Sequence, residues 1–177
     1  MNTLGAEKLY TRAIDFIRHK GGVLLDLYAG TGTIGILLSK YFDTVYSVEL
    51  IESASADGEK NAAKNGITNV QFVCKKAEVF AKEWKEANKK ADTIVIDPPR
   101  DGMHPDTLPS ILSFSAREII YVSCNPATLA RDLEVLVGKI RDEKTEKLSR
   151  YRITDVVPVD MFPHTHHMET IVRLELI

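Results

Sequence analysis

Cys124 closes the apolar run EIIYVSC (118–124) and is followed at once by Asn125-Pro126 and a helix-like segment. Only the thiolate of a cysteine is a nucleophile, and backbone N–H groups at a helix start favour that anion. Position alone leaves two readings open: a small buried hydrophobe, the commonest use of an unreactive cysteine, or a nucleophile. A second cluster, Gly30-Thr31-Gly32-Thr33-Ile34-Gly35, has the G-x-G-x-x-G spacing after an apolar run, and Glu49 follows about 20 residues on. Such a loop lets backbone approach a ligand closely, and the acid accepts hydrogen bonds from ribose hydroxyls. It serves NAD or another adenosine-containing ligand such as S-adenosylmethionine.

Asp97-Pro98-Pro99-Arg100 is the third cluster. Neither proline offers an N–H to a strand ladder, so this segment ends a strand in a stiff, extended tip. A tip of this kind suits an enzyme that must grip a flat target beside a methyl donor. Arg100 is placed either to orient a carboxylate or phosphate or to pair with Asp101. The fourth cluster, DMFPHTHHMET (160–170), holds His164, His166 and His167, but no cysteine or second carboxylate at a metal-ligand spacing accompanies them. No metal is expected. Glu169 in the same segment is either a general base or a solvated charge on an edge strand.

The elements that must position these residues follow from apolar periodicity. Seven β-branched, apolar runs stand at 23–29, 44–50, 70–74, 92–97, 118–124, 153–159 and 170–177, with helix-forming stretches between the first five and after the fifth. Alternation of strand and helix predicts an α/β fold: a Rossmann-like, mostly parallel seven-stranded sheet with helices on both faces. Only DMFPHTHHME separates the last two runs, which predicts an antiparallel hairpin at the sheet edge. Ligands of such sheets sit outside the carboxyl ends of the strands. The glycine loop follows the first strand, Glu49 ends the second, Asp97-Pro98-Pro99-Arg100 closes the fourth and Cys124 the fifth, which favours one shared site.

Composition narrows the class of protein. A chain of 177 residues with 44% hydrophobic content suits a single domain, here 1–177. No apolar run approaches the ~20 residues that cross a bilayer, and MNTLGAEKLY lacks a secretion signal, so a soluble, cytoplasmic protein without membrane contact is expected. Two cysteines cannot build a disulfide framework. A net charge of −2 with scattered basic residues counts against a self-sufficient nucleic-acid-binding surface.

Taken together, DLYAGTGTIG, DPPRDG, YVSCNPATLARDL and DMFPHTHHME closely resemble the S-adenosylmethionine-dependent RNA 5-methyluridine methyltransferases, over essentially the whole chain. The pairing of DPPR with SCNP separates this family from amino-group and cytosine-5 methyltransferases. The resemblance implies S-adenosylmethionine as cofactor and a uridine of tRNA or ribosomal RNA, not DNA, as target. It implies Cys124 as nucleophile, Glu169 as proton acceptor, and Tyr28, Glu49 and Asp97, with Gly30 and Gly32 of the loop, as cofactor contacts. Thr31 and Thr33 depart from many relatives. The family's N-terminal RNA-binding and central regions have no counterpart in this sequence, so the chain is expected to be a catalytic-domain fragment or a shortened relative. An NAD-binding oxidoreductase and a catalytically silent binding module are the competing expectations.

Overall fold

The computed structural model describes residues 3–138, 151–161 and 168–177. Its strands are β1 (Val23–Leu27), β2 (Thr44–Glu49), β3 (Val70–Cys74), β4 (Thr93–Ile96), β5 (Glu118–Ser123), β6 (Tyr151–Val159) and β7 (Glu169–Leu176). Its helices are α1 (Thr3–Phe16), α2 (Thr33–Leu38), α3 (Glu52–Lys64), α4 (Ala77–Glu86), α5 (Thr107–Phe114) and α6 (Pro126–Val137). The strands form one sheet in the order β3-β2-β1-β4-β5-β7-β6. β1 to β5 are parallel, whereas β7 runs antiparallel between β5 and β6. The expected edge hairpin is present, and its second strand, not its first, joins the parallel sheet. Strand limits differ from the sequence expectation by one or two residues, which brings Glu169 into β7 as its first residue.

Alternation along the strands sorts the core into two layers. Leu25 and Leu27 of β1, Ile94 and Ile96 of β4, and Ile119 and Tyr121 of β5 face α4, α5 and α6. Leu24, Val95, Ile120 and Val122 face α1 and α2. With helices on both sides, a central strand has no solvent face, so these runs are continuously apolar. The helices match: α4 buries Ala77, Phe80, Ala81 and Trp84, and α1 buries Leu9, Ala13 and Phe16, each a 3–4 residue repeat.

One buried charge ties down the end of the sheet away from the motifs. Glu118 is fully buried and accepts from the Arg18 and His19 N–H groups, the Thr93 hydroxyl and Arg173 Nε, at 3.0–3.3 Å. It joins the α1–β1 connection to β4, β5 and β7. That leaves the opposite edge to carry the loops.

Candidate active site

Parallel register puts the motif residues side by side. Leu27 pairs with Val48 on one side and Ile96 on the other, so the next residues out are Tyr28, Glu49 and Asp97. Ser123 pairs with Thr170, so one step beyond lie Cys124 and Glu169. Directly opposed residues of an antiparallel pair have Cβ atoms about 5 Å apart, so Cys124 and Glu169 are close neighbours across the two strands. Neighbouring strands are ~4.8 Å apart, so the row Glu49, Tyr28, Asp97, Cys124, Glu169 spans ~19 Å of the sheet's end. β1 and β4 flank the point where the strand order reverses, the place where open α/β sheets bind ligands.

A cavity of about 630 Å³ opens at that point, with Tyr28, Glu49, Ile51, Asp97, Met103 and His104 in its lining. This volume suits a small-molecule ligand. Gly30 and Gly32 do not line it, and neither do Cys124 and Glu169. Gly30 acts through its N–H, which donates to Glu49 Oε2 at 2.8 Å, while the Ile51 N–H donates to Oε1 at 2.9 Å. Gly32 has φ +70°, and a Cβ there would lie 2.5 Å from the Phe72 ring. Tyr28 itself adopts φ +62°, an uncommon backbone for a bulky residue, and sends its ring under the cavity. Its hydroxyl lies beside that of Thr107, and both are buried without a well-formed hydrogen bond among the described residues. A larger groove of about 860 Å³ between α1 and β6 is lined by Asp160, the first residue of the fourth cluster, but by none of Tyr28, Gly30, Gly32, Glu49, Asp97, Cys124 and Glu169.

Cys124 is part-buried, neither deep in the core nor fully exposed. Its backbone is pinned on both sides, because the Ser123 hydroxyl donates to the Asn125 carbonyl at 3.0 Å and accepts from the Asn125 N–H at 3.1 Å. Asn125 then caps α6 through the Ala127 N–H at 3.0 Å, and Pro126 starts the helix where a missing N–H does no harm. The helix start lies where the sequence predicts, and the groups around the thiol act on it in opposite directions. Burial and the nearby Glu169 carboxylate push its pKa up, with Arg100 opposing. Burial likewise raises Glu169, again against Arg100. Asp97 is pushed up to about 7 by burial, then by Glu169 and Asp26. A thiol, two carboxyls and the guanidinium of Arg100 thus share one electrostatic neighbourhood.

Two residues of this neighbourhood escape a reading of motifs. Tyr10, on α1, has its phenol raised by burial and then by Asp97, Asp26 and Glu169, which places α1 over the same end of the sheet. Asp26 is buried within β1, its Oδ2 accepting from the Gly35 N–H at 3.0 Å and the Ser47 hydroxyl at 3.1 Å. Its Oδ1 has no partner among the described residues, and burial pushes the carboxyl from 3.8 to about 7. The stability Asp26 contributes is therefore full below the unfolded value and is lost as pH rises through about 7, on the order of a few kcal/mol in all. Asp26→Asn is expected to flatten the fall in melting temperature between about pH 4 and pH 7; an unchanged slope would place that proton elsewhere.

His164, His166 and His167 lie outside the described residues. Among the described residues no group of three or more His, Cys, Asp and Glu is placed to hold a metal ion, and no helix is long and apolar enough to cross a membrane.

The strand order, the antiparallel β7 and the cavity at the switch point define a Rossmann-like class I methyltransferase fold. A solved tRNA (uracil-54, C5)-methyltransferase from Pyrococcus abyssi, in complex with S-adenosyl-L-homocysteine, superposes with a TM-score of 0.76 at 31% identity, covering 96% of this chain and 38% of that one. An uncharacterised RNA methyltransferase from Streptococcus mutans is 42% identical over 175 residues, 98% of this chain, and one from Caldanaerobacter subterraneus is 41% identical over 177. A profile of the tRNA (Uracil-5-)-methyltransferase family matches residues 1–177 throughout, and the chain belongs to that family. It spans about 37% of the length of these curated relatives.

Proposed function

We propose that this chain is the catalytic domain of an RNA uracil-5-methyltransferase that uses S-adenosylmethionine, acts on a uridine of tRNA or ribosomal RNA, and works through a covalent bond from Cys124 to carbon 6 of the base. The observation that carries the reading is the placement of the Cys124–Glu169 pair one strand away from the Asp97 wall of the cavity.

The cavity residues fit the cofactor. Glu49 has carboxylate lone pairs left for ribose hydroxyls beyond the two backbone donors it already accepts. Tyr28, Glu49 and Asp97 would hold S-adenosylmethionine, with Gly30 bracing Glu49 and Gly32 keeping the loop close to Phe72. When bound, the cofactor supplies an electrophilic methyl group. Carbon 5 of uracil is too weak a nucleophile to take that methyl unaided. Cys124 removes the obstacle: its thiol gives up its proton to solvent, and the thiolate forms a sulfur–carbon 6 bond as the carbon 5–carbon 6 double bond opens, pushing the ring electrons into an enolate whose carbon 5 is reactive. After methylation, Glu169 takes the proton from carbon 5, the carbon 5–carbon 6 double bond re-forms, and the sulfur leaves as thiolate. The raised pKa of Glu169 suits a base, since burial moves it closer to the working pH, and Arg100 is the local cation that favours the Cys124 thiolate against burial. The base must leave its stack to reach this site, at a cost of a few kcal/mol.

Titration calorimetry with S-adenosylmethionine tests the cofactor half of this reading. Saturable binding is expected, weakened by roughly 1.5–3 kcal/mol in Glu49→Ala, since charge-assisted hydrogen bonds are lost. Binding of NAD in place of S-adenosylmethionine, or equal affinity in Glu49→Ala, would overturn the assignment.

A further inference from the structure

Helix α6 places Leu129, Asp132 and Leu136 on one buried stripe, so a carboxylate occupies a position where the pattern asks for an apolar residue. Asp132 has no exposed surface, yet every donor it needs is at hand. Its Oδ2 accepts from the Tyr121 hydroxyl at 2.6 Å and the Met103 N–H at 2.8 Å. Its Oδ1 accepts from Arg131 Nε at 2.9 Å and Nη2 at 2.7 Å. Tyr121 remains a neutral donor, because burial and then Asp132 raise its phenol.

The partners of Asp132 converge on the loop that follows Asp97-Pro98-Pro99. Arg131 Nη2 also donates to the Asp101 carbonyl at 3.0 Å and the Met103 carbonyl at 3.2 Å. Asn125 Nδ2 and the Thr128 hydroxyl donate to the Arg100 carbonyl at 2.9 and 3.1 Å. Gly102 closes a turn by donating its N–H to the Pro99 carbonyl at 2.8 Å. With φ +77°, it sits so close to α6 that a Cβ would lie 2.5 Å from Arg131 Nη2 and 2.8 Å from Asp132 Oδ2. Residues 100–103 are thus held by side chains of the helix that begins two residues after Cys124.

This loop faces two ways. Pro99, Asp101, Gly102 and Met103 wall the cavity, while Arg100 acts on Cys124 and Glu169. Movement of the loop against α6 would change the cavity and the cation's distance from the thiol together. Apolar packing of the same volume would stabilise the fold as well or better, whereas a buried carboxylate with four directed donors admits one arrangement. We propose that Asp132, bonded to Tyr121 and Arg131, is a positioning residue that locks the cavity wall and Arg100 in register with the nucleophile's helix. Its meaning for catalysis rests on the function proposed above; the clamp itself does not.

The test uses the full chain in a Cys74→Ser background, which leaves Cys124 as the single thiol of the sequence's two. Tyr121→Phe removes one hydrogen bond and keeps the ring; Asp132→Asn removes the charge and keeps the size. Tyr121→Phe is expected to melt within a few degrees of its parent, to shift the pH midpoint of Cys124 alkylation by iodoacetamide upward by about half a unit, and to weaken S-adenosylhomocysteine binding about five-fold. A folded Tyr121→Phe with an unchanged alkylation profile and unchanged affinity would reduce the clamp to a structural role. Should Asp132→Asn fail to fold, Tyr121→Phe still decides. A shifted alkylation profile in a chain that binds no S-adenosylhomocysteine would uphold the clamp and sink the cofactor reading. A parent that binds the ligand, with a profile indifferent to Tyr121→Phe, would do the reverse.

Discussion

Cys124→Ala is expected to abolish methyl transfer, by on the order of 10⁴–10⁶-fold, the range seen when a covalent nucleophile is removed from an enzyme whose other groups act with it. The size of the loss follows from the chemistry. Without sulfur on carbon 6 the ring has no enolate, and no other group at the described strand tips can supply one: Asp97 and Glu169 are carboxyls, weak nucleophiles whose pKa burial raises. Affinity for S-adenosylmethionine should be nearly unchanged, because Cys124 does not line the cavity of Tyr28, Glu49 and Asp97. The split is the informative part. Loss of both would indicate that the tip of β5 had collapsed, whereas full turnover in Cys124→Ala would remove the covalent mechanism. Methyl incorporation and calorimetry on the same preparation read the two quantities.

Glu169→Gln should slow turnover by about 10²–10⁴-fold in a different way, by stalling the reaction after the bond to Cys124 has formed. Glutamine keeps the shape of the side chain but cannot accept the carbon 5 proton. Methylated RNA should then stay attached to protein through denaturing electrophoresis. Burial, and after it the Glu169 carboxylate, raises the Cys124 thiol; the substitution removes the second of these, so adduct formation itself should be no slower than in the parent. Free methylated product at the parent rate would assign the base to another residue.

How much of this was legible in the sequence depends on the distance over which each feature is built. The strand tips were readable, since β-branched runs ending in Gly, Asp-Pro-Pro and Ser-Cys-Asn-Pro carry their own stop signals. So was the hairpin of β6 and β7. That β7 pairs with β5, and so sets Glu169 opposite Cys124, is decided by which strand of the hairpin buries both faces: Ile171 to Leu174 are all buried, whereas β6 alternates with solvent. Two influences on the thiol were not legible for a physical reason. The helix start is local and visible in Asn125-Pro126, but burial of the sulfur and the carboxylate of Glu169, 45 residues on, act on it only once the chain has folded. Asp26 was hidden inside an apolar run. Asp132 left one trace, an acid at the spacing of Leu129 and Leu136, which marks a core position filled by a charge. Tyr10 left none beyond an amphipathic pattern.

The bond between sulfur and base is the claim on which the rest depends, and the intact mass of the chain tests it most directly. After incubation with S-adenosylmethionine and a substrate RNA carrying 5-fluorouridine, carbon 5 bears fluorine in place of the proton that Glu169 must remove. The chain should gain the mass of the methylated RNA fragment, on the peptide that contains Cys124, and Cys124→Ala should gain none. Methylated product from ordinary RNA alongside an unmodified chain with the fluorinated RNA would contradict a thiol-linked intermediate.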